Sequence, residues 1–413
     1  MRWQLAIMVS VAIAISYLDR QTLPVAVQSI GRDIPLTNSQ FSALQSAFLF
    51  SYALMYAGGG KLIDVLGTRR GFTVIMLFWS LACASHALAT SFFLLATSRF
   101  LLGVGEGGGF PAATRAVAEF FPADERATAM GIINAGTSVG TVVAPPLIAV
   151  ILLHTSWRWI FVFTGGLGLL WTLGWMLSRF GRPTNPQDEL FNGEKSRSTS
   201  NFSWTRLFLI RETWGLVAAK SLSDAAWFFY LFWLPKYLYD ARGFDIKAIG
   251  AFAWMPSAAA GVGCLLGGSF SSYLVRRQFS LGASRKTALG LSAFLMPFVI
   301  LIPHVTVSWA IVLFCFAYFG QQSWSTLVMV LPTDLFPKGV VGSVAGLVGF
   351  GGALGGIVFG ELAGYLLDHG FGYSSVFAIA GLLHVAAFLI ILAFVPIVEP
   401  LTLGRAIQLE RAL

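Results

Sequence analysis

Hydrophobic residues are grouped along the chain into twelve long runs, separated by short polar stretches. Each run contains about 20 mostly apolar residues, the length that an α-helix needs to cross a bilayer. We number these predicted spans 1 to 12; they lie near residues 4–28, 39–60, 71–90, 92–116, 127–151, 157–178, 212–238, 246–274, 286–303, 307–330, 339–367 and 372–396. A longer polar stretch, Arg179 to Arg211, separates span 6 from span 7. The pattern predicts an all-α integral membrane protein.

Composition agrees with this class. Only 27 Lys and Arg and 19 Asp and Glu occur among 413 residues, which is 11%, whereas 56% are hydrophobic. A soluble protein carries about 25% charged residues, so a water-soluble enzyme of this length is excluded. The three cysteines and five histidines lie at unrelated spacings. They predict neither a disulfide framework nor a metal site, and no cofactor is expected. We interpret the histidines, including His384 in span 12, as core or interfacial residues.

The distribution of basic residues predicts the orientation. If the N-terminus is cytoplasmic, 18 of the 27 Lys and Arg residues lie on the cytoplasmic side and 5 on the outer side, and the other four fall within spans. This asymmetry favours both termini inside, and it explains the net charge of +8 without invoking nucleic acid. We expect a six-helix bundle over residues 1–180, a cytoplasmic linker over 181–211, and a second bundle with a short cytoplasmic tail over 212–413.

The two halves of the chain repeat one another. A Gly-Gly pair that leads into a basic pair follows span 2 (59–70) and again span 8 (267–277). Phe121-Pro122 precedes a glycine-rich span 5, and Phe336-Pro337 precedes a glycine-rich span 11. The offsets, 208 and 215 residues, indicate a duplicated six-helix unit. Two bundles that rock around a central site are typical of a transporter.

Particular motifs then carry a family resemblance. Gly60-x-x-x-Asp64-x-x-Gly67-x-Arg69-Arg70 resembles the loop signature of the major facilitator superfamily, although Val65 replaces its usual basic residue and Ser272 replaces the acid of the second copy. Tyr17-Leu18-Asp19-Arg20, Arg99-Phe100-x-x-Gly103-x-x-Glu106 and Phe110-Pro111 resemble the anion:cation symporter family. The stretches 229–238 and 332–337 are most similar to its bacterial hexuronate transporter subgroup. The resemblance implies a multi-pass protein of the bacterial inner membrane.

Four charged residues have no topological reason to lie within the first half. A charge at the bilayer centre costs about 2.5–3.5 kcal/mol on insertion scales, so each must face a cavity or a partner. Asp19 and Arg20 are adjacent on span 1 and point about 100° apart. Arg99 and Glu106 share a face of span 4. We interpret the four as one network lining the cavity, and the alternative is a static ion-pair cluster that joins spans 1 and 4.

The chemistry of this network fits proton-coupled uptake of an anion. An arginine offers a planar fork to a carboxylate, and a carboxyl group removed from water can be protonated near neutral pH. Substrate arriving at Arg20 would take that positive partner from a nearby acid and favour the acid's protonation, which is coupling by linkage. The resemblance implies the same roles, with Asp19 and Glu106 as proton carriers and Arg20 as a substrate ligand.

Other polar residues within the spans are candidates for substrate binding. Each has a structural alternative: helix packing for the tyrosines, interhelical hydrogen bonding for the amides and hydroxyls, and an internal i,i+4 ion pair for Lys220 and Asp224. The candidates are Arg99, Gln45, Tyr52, Asn134, Thr137, Lys220, Asp224, Tyr230, Gln321, Ser323 and Trp324. The resemblance further implies a cytoplasmic gate of Asp64, Arg69, Arg70, Arg115 and Glu119, for which ordinary membrane anchoring is the alternative.

We therefore predict a proton-coupled symporter that imports a sugar-acid anion, most similar to hexuronate (glucuronate or galacturonate) carriers. The alternative is a transporter of aldonates or other organic anions that works as a facilitator or exchanger. An enzyme is not expected, because no catalytic constellation or metal motif is visible. The expected partners are a small organic anion, protons and the lipid bilayer, without nucleic acid, and the chain is expected to act as a monomer.

Overall fold

The structure is a computed structural model in which residues 2–121, 126–178, 207–336 and 341–399 are described. Within these ranges, the side chains of residues 57–62, 64, 65, 118, 126–128 and 341–343 are not described. Most of the predicted linker and the last 14 residues therefore lie outside the described part of the chain.

Every regular element in the described ranges is helical. We number the α-helices in chain order: α1 Arg2–Asp33, α2 Asn38–Ser85, α3 Phe92–Gly107, α4 Gly109–Phe120, α5 Arg126–His154, α6 Trp157–Leu177, α7 Arg211–Arg242, α8 Ile246–Phe252, α9 Met255–Arg276, α10 Leu281–Phe294, α11 Val307–Leu335, α12 Val341–Asp368 and α13 Gly372–Phe394. Two short 3₁₀ segments, His86–Leu88 and Met296–His304, follow α2 and α10.

These helices confirm the twelve spans. α2 contains spans 2 and 3, which bend apart at Gly67, where φ is 74°; a positive φ favours glycine because it lacks a Cβ atom. Three spans are composite: α3 and α4 form span 4, α8 and α9 form span 8, and α10 with its 3₁₀ segment forms span 9. Eight helical stretches of the described chain are individually long and apolar enough to cross a membrane.

Glycines bring span 4 into close contact with spans 2 and 3. A Cβ atom on Gly103 would lie 2.3 Å from the carbonyl oxygen of Phe48, and one on Gly105 would lie 2.4 Å from Cβ of Trp79. The sequence Gly103-x-Gly105-x-x-Gly108 therefore serves helix packing within the membrane. Glu106 lies between these glycines, so the close packing fixes the position of its carboxylate along span 4 relative to spans 2 and 3.

The two halves of the fold repeat a packing arrangement. In the first half (spans 1–6), a Cβ atom on Gly136 of span 5 would lie 2.2 Å from the carbonyl oxygen of Ser10 on span 1. In the second half (spans 7–12), a Cβ atom on Gly355 of span 11 would lie 1.9 Å from the carbonyl oxygen of Ser221 on span 7. Corresponding spans are thus packed through glycine in each bundle, as the duplicated sequence predicts.

The halves meet at one end of the molecule, where spans 1 and 7 end, which we call the outer end. The Tyr239 hydroxyl of span 7 donates to the carbonyl oxygen of Val25 on span 1 at 2.9 Å. Nearer the middle, Nε2 of Gln21 donates to the carbonyl oxygen of Leu231 at 3.3 Å. The ring of Phe41 on span 2 packs edge-on against Trp233 on span 7.

Spans 2 and 11 extend this contact. The Asp368 carboxylate at the end of span 11 accepts hydrogen bonds from the backbone N–H groups of Asn38 and Ser39, at 2.9 and 2.8 Å. One level deeper, the Ser46 hydroxyl donates to Glu361 at 2.5 Å. The contacts join the halves at the outer end.

Candidate functional site

A buried ion pair between spans 1 and 4 forms the centre of the first-half site. Nε of Arg20 donates to Oε2 of Glu106 at 2.8 Å, and both side chains are at most 5% exposed. The Ser16 hydroxyl, one turn earlier on span 1, donates to the same oxygen at 2.6 Å. The second oxygen, Oε1, is buried without a hydrogen-bond partner among the described residues.

Aromatic rings enclose the Arg20 guanidinium. Its central carbon lies 4.4 Å from the ring centre of Tyr17 and 4.6 Å from that of Tyr52, with Phe48 at 5.5 Å. Cation–π contacts of this kind stabilise a charge that has left water. The Tyr52 ring in turn packs between Phe48 and Tyr56 along span 2. The predicted candidate Tyr52 thus lies directly beside the predicted substrate ligand.

Asp19 lies on a different side of span 1 from Arg20, as expected for adjacent helical residues. Its Oδ2 accepts from the indole Nε1 of Trp79 at 3.1 Å, and its Oδ1 accepts from the Cys83 thiol at 3.4 Å. Cys83 also contacts the Thr164 hydroxyl of span 6 at 3.2 Å. Asp19 is completely buried, and the donors that face it are neutral. The structure therefore joins Arg20 with Glu106 and places Asp19 apart from that pair.

Arg99 is completely buried on span 4, and its three guanidinium nitrogens have no hydrogen-bond partner in the described part of the chain. Its central carbon lies 5.8 Å from the ring centre of Phe48, which also contacts Arg20. Gln45 of span 2 is 3% exposed, and neither its amide nitrogen nor its oxygen has a described partner. Buried polar groups without partners are costly, so the Arg99 guanidinium and the Gln45 amide are available to bind a polar ligand.

The second-half candidates form another buried polar cluster. Lys220 and Asp224 pair on span 7 at 2.9 Å, as the i,i+4 alternative expects. Lys220 also donates to the Ser325 hydroxyl of span 10 at 2.8 Å, and the Gln321 amide donates to Asp224 at 3.5 Å. A Cβ atom on Gly352 of span 11 would lie 2.3 Å from Oδ2 of Asp224. The carboxylate is thus held among spans 7, 10 and 11.

Three further candidates are buried within the second half. The Tyr230 hydroxyl has no hydrogen-bond partner in the described chain. The Ser323 hydroxyl donates to the carbonyl oxygen of Gly263 on span 8 at 2.8 Å. Trp324 is fully buried in a hydrophobic cluster, where its ring packs against His384 and Phe388 of span 12. Their contact with substrate stays a prediction.

The span 5 candidates lie on a more accessible surface. Asn134 is exposed, and Thr137 is half-buried with its hydroxyl donating to the carbonyl oxygen of Asn134 at 2.8 Å. No described hydrogen bond joins either side chain to Arg20 or Glu106. The structure therefore does not gather them into the first-half cluster.

The predicted gate residues are arranged at the inner end of the first half. Glu119 accepts a hydrogen bond from Thr68 and pairs with Arg115 at 3.8 Å. Arg69 donates to the carbonyl oxygen of Met176 on span 6 at 2.7 Å. Arg70 is exposed, and the Asp64 side chain lies outside the described part of the chain, so its gate role stays a prediction.

An ion pair in the second half occupies the corresponding place and was missed by the sequence reasoning. Nε of Arg285 on span 9 donates to Asp334 at 2.8 Å, and its NH1 donates to the Ser271 hydroxyl of span 8 at 2.9 Å. A signal was present: Asp334 lies 215 residues after Glu119, which is the offset between the two Phe-Pro pairs. The repeat could therefore have identified it.

Several known proteins are similar in sequence to this chain. Residues 9–360 match the family model described as Major Facilitator Superfamily. The hexuronate transporter of Escherichia coli K12 is 30% identical over 409 residues, covering 95% of this chain and 93% of that protein. The galacturonate transporter of Dickeya chrysanthemi is 32% identical over 309 residues, covering 72% of this chain and 89% of that protein.

Among solved structures, the inward-open conformation of the xylose transporter XylE from E. coli is similar over the full length of both chains, with a TM-score of 0.76 and 14% identity. At that identity the likeness concerns the fold alone, and it agrees with the twelve spans in two bundles. The family model covers most of the chain, and relatives of this family are transporters, not enzymes. The chain belongs to the Major Facilitator Superfamily.

Proposed function

We propose that this protein is a proton-coupled symporter that imports a sugar-acid anion by alternating access. Within that class, we propose a hexuronate as the substrate. The observation that carries the proposal is the burial of two arginines and two carboxyl groups on spans 1 and 4, of which Arg20 and Glu106 form an ion pair. The names of the two relatives, one a hexuronate and the other a galacturonate transporter, support the substrate class.

Charge balance links the proton to the anion. With Asp19 and Glu106 both ionised, they offset the charges of Arg20 and Arg99, and the four buried charges sum to zero. Protonation of either acid leaves one positive charge in excess, which a carboxylate anion can neutralise. Because an uncompensated charge in a buried site is costly, the proton and the anion stabilise each other's binding.

The atoms for this exchange are available at the pair of Arg20 and Glu106. Oε1 of Glu106 has no described partner and can take the proton, while Oε2 keeps its hydrogen bond from Ser16. Arg20 is then free to turn its fork to the substrate carboxylate, which forms two parallel hydrogen bonds with a guanidinium. The three unpartnered nitrogens of Arg99 offer a second site of positive charge nearby.

Transport by purified protein in liposomes tests the proposal. We expect the wild type to accumulate glucuronate or galacturonate when driven by a pH gradient, and to make the outer solution more alkaline as substrate enters. Asp19→Asn and Glu106→Gln should lose this accumulation, whereas Asp33→Asn, which changes a carboxylate paired with Arg158 on span 6, should keep it. If both core variants still accumulate substrate under a pH gradient, the coupling proposal is wrong.

The alternative function is facilitated or exchange transport of an aldonate or another organic anion. Counterflow with glucuronate, galacturonate, galactonate and glutamate separates the substrates, because it does not depend on a driving gradient. A substrate that shows counterflow, but whose net entry causes no change in the external pH, would favour the alternative.

We further propose that the protein acts as a monomer in the bacterial inner membrane, with both termini and the 181–211 linker in the cytoplasm and bundles over 1–180 and 212–413. The excess of basic residues on that side supports this orientation. A reporter enzyme that is active only in the cytoplasm, fused after residue 413, should be active.

A further inference from the structure

A row of buried polar side chains crosses the second half from span 12 to span 7. His384 of span 12 is hydrogen-bonded through Nε2 to Oε1 of Gln321 on span 10. The amide nitrogen of Gln321 faces Oδ1 of Asp224, which is also held by Lys220. All four side chains are at most 10% exposed. His384 was expected to be a core or interfacial residue, and that expectation gives it no role at the end of this row.

The charged end of the row fixes the orientation of every group. The Asp224 carboxylate only accepts hydrogen bonds, so Gln321 must turn its NH₂ group towards it. The amide oxygen of Gln321 then faces His384, which must donate from Nε2. The other ring nitrogen, Nδ1, is buried with no partner in the described residues. His384 is therefore a neutral imidazole that carries its hydrogen on Nε2.

The imidazole itself is held in place by packing. The Trp324 ring meets it edge-on, with centroids 5.7 Å apart and planes at 74°. His384 is fully buried, and its described hydrogen bond is to Gln321, so we expect it to act on substrate through that amide. Its hydrogen bond prevents the Gln321 amide from flipping, and a flipped amide would present its oxygen to the Asp224 carboxylate.

We propose that His384 is a positioning residue that locks the Gln321 amide, and through it the Asp224 carboxylate, as the second-half site for the hydroxyl groups of the substrate. The expected transport effects rest on the proposed function. The tautomer of His384 and its dependence on Asp224 rest on the hydrogen-bond geometry alone.

Kinetics of glucuronate counterflow in liposomes test this role. We expect His384→Leu to raise KM about tenfold, because a buried amide loses its partner, with a smaller change in maximal rate. His384→Gln keeps an N–H donor and should recover most of the affinity. Phe388→Leu is the matched control: Phe388 lies one turn further on span 12 and packs on the same Trp324 ring, but it belongs to no polar row.

A double variant shows whether His384 acts through Gln321. Gln321→Leu should raise KM by a similar factor, and adding His384→Leu to it should cause little further loss, since residues of one network are not additive. An unchanged KM in His384→Leu, effects that multiply in the double variant, or an equal rise in Phe388→Leu would overturn the proposal.

The tautomer of His384 can be measured in the unaltered protein, so this test does not depend on the folding of a variant. Two of the five histidines are buried, and the structure gives them opposite tautomers. Nδ1 of His86 faces the carbonyl oxygens of Ala82 and Cys83, both at 3.0 Å, and so carries the hydrogen. Nitrogen NMR of histidine-labelled protein should therefore show one exchange-protected Nδ1–H ring and one protected Nε2–H ring.

Two protected Nδ1–H rings would refute the proposal whatever the substrate is. If instead the wild type transports no sugar acid, the proposed function fails, while the tautomer result still stands or falls independently. The two failures are therefore distinguishable.

Discussion

The contact between Asp368 and the start of span 2 should set the balance between outer-closed and outer-open forms. The carboxylate accepts two backbone hydrogen bonds, from Asn38 and Ser39, across the boundary between the halves. It also lies at the positive end of the span 2 helix dipole, where an anion is favoured. Asp368→Asn keeps the shape and one acceptor oxygen, but it removes the charge.

The magnitude follows from the exposure of the contact. An anion at an exposed helix N-terminus is worth about 0.3–1 kcal/mol, and one weakened hydrogen bond adds about 0.5 kcal/mol. The sum, about 1 kcal/mol, corresponds to about a fivefold change in an equilibrium constant. We therefore expect the ratio of outer-open to outer-closed protein to rise about fivefold in Asp368→Asn.

Distances between spin labels at Arg32 and Lys247 can measure this ratio. Both positions are exposed and lie at the outer ends of different halves. Asp33→Asn is the matched control, because Asp33 bonds only to Trp157 and Arg158 among the described residues, within its own half. If the label distances in Asp368→Asn equal those of the wild type, or if Asp33→Asn changes them as much, then the Asp368 contact does not set the balance between the two forms.

Three further predictions concern the interior. Gly352→Ala should lower the free energy of unfolding by about 1–3 kcal/mol, because its Cβ atom would overlap the buried Asp224 carboxylate. Gly346→Ala on the same helix places its Cβ atom in open space and should be neutral in thermal unfolding. Asp334→Ala leaves Arg285, which is 14% exposed, without its charged partner. We therefore expect the free energy of unfolding to fall by about 2–4 kcal/mol in the same assay. Arg20→Lys should raise KM for glucuronate about tenfold or more, because an ammonium lacks the planar fork that binds a carboxylate.

The spans could be predicted from sequence because a bilayer imposes one strict condition on each segment. Backbone polar groups must be satisfied within the segment, so a run of about 20 apolar residues has to be helical. The structure confirms all twelve, with ends shifted by a few residues. The break of span 4 near Gly108 and the 3₁₀ end of span 9 were not predicted, since both depend on how neighbouring helices pack.

The residues of the site were easier to nominate than their partners. Asp19 and Arg20 were identified because charges are rare within spans, and their divergence follows from helix geometry. The donors to Asp19, Trp79 and Cys83, lie on span 3 and carry no charge, so hydropathy gives no reason to select them. The hydrogen-bond partner of His384 could not be predicted for a related reason: a single polar residue in an apolar helix carries no sequence signal for the neighbour that it contacts.

The two halves differ in how their buried charges are balanced, and this difference suggests a division of labour. Lys220 and Asp224 neutralise each other one turn apart on a single helix, so their pairing does not require any movement between spans. In the first half, Arg20 is paired across two spans, and Arg99 has no described partner. Since the first half holds a cation without a described carboxylate partner and an ion pair that joins two spans, we expect proton coupling to depend on the first half. The second half, whose buried ion pair lies on a single helix, would then determine which sugar acid is bound.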